Sequence, residues 1–113
     1  MSGQYVEYTG NRNPDVDFTD AKGNSTLGSH FGKPDHGNFN SPDEYVQAAR
    51  NFLEKEPTPT TQSFVSAEGW YFRYDTATNE FGIINPYGGI STYYFPERGL
   101  EYWLEQIETY APK

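Results

Sequence analysis

Two closely spaced turn signatures settle most of what this chain can become: Asp75-Thr76-Ala77-Thr78-Asn79 and Asn85-Pro86-Tyr87-Gly88-Gly89. They punctuate three strand-like segments. In the first, Trp70, Phe72 and Tyr74 alternate with Tyr71 and Arg73; the second is Glu80 to Asn85; the third is Ile90 to Phe95. Strands joined by such short turns pair antiparallel, because a parallel return needs a crossover far longer than either turn. Ser63 to Ala67 reads as a short strand before them, and Pro96 ends the last one. The expected sheet is therefore an antiparallel meander of about four strands.

Helices flank the meander. Ser41-Pro42-Asp43-Glu44 is a capping box, with Ser as N-cap, Pro at the first helical position and Glu at the third. Tyr45, Ala48, Ala49, Phe52 and Leu53 follow at helical spacing as one apolar stripe, and the helix should end near Lys55, before Pro57 and Pro59. Glu56 to Thr61 reads as a linker within the domain. Leu100, Trp103, Leu104, Ile107 and Tyr110 recur at the same spacing in a helix over residues 98–110, with Glu101, Glu105 and Glu108 on another face. Ser25 to His30 is expected as a short helix capped by Ser25 and limited by Pro34. Residues 1–24 are rich in Gly, Asn, Asp and Thr without periodicity and read as a mobile, loosely packed arm; residues 25–113 form one domain. The fold class is α+β: N-terminal helices packed on an antiparallel β-meander, with a C-terminal helix.

Composition narrows the function. The apolar share is thin at 35%, and ten Tyr and eight Phe supply much of the buryable area. With no cysteine, neither disulfides nor thiolate metal sites are available. No apolar run approaches the roughly 20 residues a membrane-spanning helix needs, and no signal-peptide pattern opens the chain. The net charge of -8, from 16 Asp+Glu against 8 Lys+Arg, argues against the broad basic surface of a general nucleic-acid binder. Any contact with nucleic acid must come from a local cationic site. Asp15, Asp17 and Asp20 hint at a calcium loop, but the glycine and distal glutamate of an EF-hand are missing.

Both histidines, His30 and His36, flank Lys33 within Ser29–Phe39. Imidazole titrates near neutral pH and suits proton transfer; an ammonium beside it can hold a phosphate. Such residues are also what an ordinary solvated loop contains. In the last strand, Thr92 and Tyr94 fall on one face and form a hydroxyl pair able to bond phosphate oxygens, although both types are simply favoured in strands. Trp70 and Trp103 can stack on bases or anchor a core.

Taken in order, these residues resemble a known family. His30-Phe31-x-Lys33, His36-Gly37-x-Phe39-x-Ser41, Tyr45, Ala49 and Phe52-Leu53 resemble the start of the toxic C-terminal domains of bacterial polymorphic and contact-dependent inhibition toxins. Phe72-Arg73-Tyr74-Asp75, Thr78 to Asn85 and Gly89 to Tyr94 look like their meander, and Tyr102-Trp103-x-x-Gln106 like the start of their closing helix. Pro34 and Asp35 interrupt the family's Lys-His-Gly triplet, and Phe95 stands where a lysine is frequent. The resemblance implies a fold like barnase and colicin D and a metal-independent endoribonuclease needing no cofactor, with transfer RNA as substrate. It implies that His36 and His30 share acid and base roles, that Lys33 holds the phosphate, and that Thr92 and Tyr94 bond its oxygens. Trp70 and Arg73 become substrate-binding candidates. It further implies a monomer, secreted or delivered as part of a larger toxin, acting in the target-cell cytoplasm and neutralised by a cognate immunity protein. The charge balance also suits a second class, an acidic non-catalytic interaction domain such as an immunity-type inhibitor.

Overall fold

Helix α1 (Pro42–Glu54) starts where the capping chemistry places it. In the computed structural model, which describes residues 5–19, 22, 24–26 and 39–112, the Ser41 hydroxyl accepts from the Glu44 N–H at 3.2 Å. The Glu44 carboxylate reaches back to the N–H of Asn40 at 2.9 Å, one residue before the cap. These bonds satisfy donors that no helical carbonyl can reach. Tyr45, Ala49, Phe52 and Leu53 are buried, as the stripe requires.

The strands are β1 (Thr61–Val65), β2 (Tyr71–Asp75), β3 (Phe81–Ile84) and β4 (Ile90–Tyr94), hydrogen-bonded in the order β1-β2-β3-β4 with each pair antiparallel. Helix α2 (Leu100–Tyr110) closes the chain. The architecture is α+β, as the turn signatures and helical stripes predict. Strand β1 begins earlier than Ser63 because Thr58 and Thr61 close a turn there, through Thr61 N–H to Thr58 C=O and Thr58 N–H to the Thr61 hydroxyl. Ser25 forms an antiparallel bridge with Thr19. The rest of the short helix expected from Ser25 to His30, from Leu27 onward, lies outside the described residues.

Register assigns each strand residue to one of two covered faces. Ser63, Arg73, Gly82 and Tyr93 are successive cross-strand partners facing α1, as are Val65, Tyr71, Ile84 and Ile90. Phe64, Phe72, Ile83 and Thr92 form a row on the α2 side, beside the row of Gln62, Tyr74, Phe81 and Tyr94. Because helices cover both faces, all five residues of β2 are buried. On the α2 side, Trp103 packs on Phe64, Tyr74 and Phe81, and its indole N–H donates to the Gln62 side chain at 2.8 Å.

Part of the segment before Thr19 packs onto the sheet. Phe18 is 1% exposed and belongs to the α1-side core, and its N–H donates to the Ile90 carbonyl at 2.7 Å. Asp17 accepts from Arg12 at 2.7 Å, from Arg50 at 2.8 Å and from the Ile90 N–H at 2.8 Å. It is a clasp between two guanidiniums and β4, which accounts for its carboxylate without calcium. Gly88 makes the close approach possible: it sits at φ 92°, and a Cβ there would lie 2.0 Å from the Asn11 carbonyl oxygen. Among the described residues, no helix is long and apolar enough to cross a membrane.

Candidate functional site

The expected site joins a loop to an edge strand. His30, Lys33 and His36 lie outside the described residues. The chain becomes described at Phe39, whose ring packs edge-on against Tyr45 at 5.5 Å and lies 6.5 Å from Tyr93. Phe39 thus packs beside Tyr93 of β4 just before α1 begins. Tyr45 also donates its hydroxyl proton to the Tyr93 carbonyl, which fixes α1 to that strand.

Strand β4 is an edge of the sheet, and one end of it is covered by Phe18 bonding to Ile90. Thr92 and Tyr94 share the α2-side face, as period-two alternation predicts. Thr92 is half-buried beside Ile83, whereas the Tyr94 hydroxyl is hydrogen-bonded to that of Tyr102 on α2. Tyr93, between them, faces α1 and donates to Glu80 at 2.6 Å. Burial, with the Glu80 carboxylate next to it, drives the Tyr93 phenol far above its ordinary pKa and keeps it a neutral donor.

Trp70 and Arg73 part company. Trp70 is 38% exposed at the β1–β2 turn, where its N–H and C=O both bond to Ser66 and Gly69 takes φ 91°. Arg73, expected to touch substrate, is 2% exposed and points to α1. Its guanidinium donates to the carbonyls of Phe52 at 3.0 Å and Lys55 at 2.9 Å, and to the hydroxyls of Tyr71 at 3.0 Å and Tyr5 at 2.8 Å. It closes the C-terminus of α1, where a cation meets the negative end of the helix dipole. Burial pushes the Tyr5 phenol up to about 12 despite that cation, so Tyr5 stays neutral.

A cavity of about 540 Å³ next to Arg73 is walled by Tyr5, Tyr8, Arg12, Lys55, Glu54 and Glu56, among others. Arg12 is held by Asp17, and the Lys55 ammonium lies 3.5 Å from Asp75. This wall therefore presents balanced charge. Elsewhere Arg98 pairs with Glu105 and Glu101. Among the described residues, no group of three or more His, Cys, Asp or Glu is placed to hold a metal ion.

A second opening, a cleft of about 370 Å³, lies on the α2 side between Trp70, Phe72, Ile83, Tyr102, Gln106 and Tyr110, with Ser66 and Glu68 at its margin. Sequence reasoning found Trp70 but not Glu68 or Tyr110 as its companions. Tyr110 lies on the apolar stripe of α2, where periodicity makes it look like core. No protein-family model matches the chain, and no curated relative matches it.

Proposed function

We propose that this chain is the nuclease domain of a bacterial polymorphic or contact-dependent toxin. It cleaves RNA, transfer RNA foremost, without a metal, and a cognate immunity protein neutralises it. One observation carries the reading: the capped helix, the antiparallel meander and the closing helix occur in the order the resemblance implies. His36 stands three residues before Phe39, a span of chain that reaches at most about 11 Å. Thr92 is half-buried on the α2-side face of β4, opposite the face on which Phe39 packs, so on this reading the histidines act on a phosphate at the open edge of the strand.

One histidine removes the proton of the ribose 2′-hydroxyl, and the 2′-oxygen attacks the adjacent phosphorus. The P–O5′ bond breaks and the second histidine protonates the departing 5′-oxygen, leaving a 2′,3′-cyclic phosphate and a 5′-hydroxyl. Lys33 and the Thr92 hydroxyl bond the phosphate oxygens as charge develops. The Tyr94 phenol, which shares its hydroxyl bond with Tyr102, backs this pair.

A second reading rests on the charge of -8 and on the pairing of Arg12, Arg50, Lys55 and Arg98 with carboxylates: an acidic, non-catalytic interaction domain such as an inhibitor. Induced expression inside a bacterium separates the two. The nuclease arrests growth and leaves discrete small-RNA fragments, and the neighbouring reading frame relieves both. Normal growth with intact RNA overturns the nuclease reading in favour of the binder.

A further inference from the structure

Cross-strand register lines up three residues on the α2 side in one row: Phe72, Ile83 and Thr92. Neighbouring strands are about 4.8 Å apart, so Thr92 stands about 5 Å beyond Ile83 and about 10 Å from Phe72. Phe72 and Ile83 form the floor of the 370 Å³ cleft. Trp70 rises at one side, 38% exposed, and Tyr110 at the other, 48% exposed and stacked on Phe72 at 5.3 Å. Half-exposed aromatic rings flanking an apolar floor suit a flat, unsaturated ring, since every nucleobase has a face to stack. The volume falls within the range of small-molecule sites, and Glu68 and Gln106 bring a carboxylate and an amide to its lining. A carboxylate repels phosphate and accepts from amino groups, so the base enters the cleft and the phosphate stays outside.

We infer that this cleft is the subsite for one unstacked, amino-bearing base of the RNA, placed so that its phosphate reaches Thr92. The inference rests on the ribonuclease reading and names the part of the substrate that the site grips. Trp70 and Tyr110 stack the base, and Glu68 with Gln106 bonds its edge.

The test uses the full chain carrying His36→Ala, titrated with AMP, CMP, GMP and UMP while the Trp70 indole N–H is followed by NMR. Trp103 is 1% exposed and bonded to Gln62, so its signal serves as an internal control. AMP, CMP and GMP should shift the Trp70 signal and bind more tightly than UMP. Trp70→Ala and, on the exposed last turn of α2, Tyr110→Ala should each weaken binding about tenfold or more. Glu68→Gln should erase the preference over UMP. An unmoved Trp70 signal, or unchanged affinity in both aromatic variants, overturns the inference. If the wild-type chain still cleaves RNA in that case, the ribonuclease reading survives it. Nucleotide binding through Trp70 by a chain that cleaves no RNA upholds the cleft and removes the nuclease.

Discussion

Asp75 shows how much one side chain does in this fold. It is buried at the end of β2, where its carboxylate accepts from the Ala77 N–H at 2.8 Å, the Thr60 hydroxyl at 2.9 Å and the Thr78 N–H at 3.3 Å. Burial alone pushes the carboxyl up, but these donors and the Lys55 ammonium outweigh it and hold the pKa below the ordinary carboxylate value. In the unfolded chain the same group titrates near about 3.9. The unfolded state therefore binds more protons as the pH drops towards that value, and Asp75 stabilises the fold fully only above it. Denaturant midpoints measured from pH 6 down to pH 3 should fall, and Asp75→Asn should flatten the fall while lowering stability at pH 7 by about 1–3 kcal/mol. An equal slope in both proteins would show that Asp75 is not the group responsible. Arg73 teaches the complementary lesson. Its place in an alternating strand was plain in the sequence, but only the packing shows that the carbonyls of Phe52 and Lys55 lie opposite it.

At the scale of elements, helix α1 is held by its stripe. Phe52 is 2% exposed, lies 5.9 Å from Tyr93 and sits in the core shared by α1 and the sheet. Phe52→Ala should cost about 3–5 kcal/mol in a fluorescence-monitored denaturation. A loss below about 1 kcal/mol would place the ring outside the core. What was legible in the sequence was whatever repeats. The capping box, the 3.6-residue stripes and the turn signatures marked α1, α2 and the meander, and period two put Thr92 and Tyr94 on one face. The Tyr5–Thr19 segment has no period because single residues hold it: Arg12 on Asp17, Phe18 on Ile90, and a glycine at position 88 that lets the backbones meet. The cleft was half legible for a similar reason. Trp70 declares itself at a turn, whereas Glu68 and Gln106 become companions to it only once β1–β2 and α2 are brought together.

At the scale of the whole molecule, several of the described cations are taken up by carboxylates. Arg12 and Arg50 are gathered on Asp17, Lys55 faces Asp75, and Arg98 faces Glu101 and Glu105 on α2. An acidic protein of net charge -8 can then meet RNA through a small cationic group, and it should bind with a shallow salt dependence because few phosphates are neutralised. On the proposed reading Lys33, His30 and His36 supply that group and act together with Thr92. The most direct test is cleavage of transfer RNA by the purified chain in excess chelator, with wild type and His36→Ala run side by side. The account predicts that wild type yields fragments ending in 2′,3′-cyclic phosphate, and that His36→Ala loses most of the rate while its thermal midpoint stays within a few degrees. Loss of wild-type activity in chelator with rescue by magnesium or zinc, or full activity in His36→Ala, would contradict it.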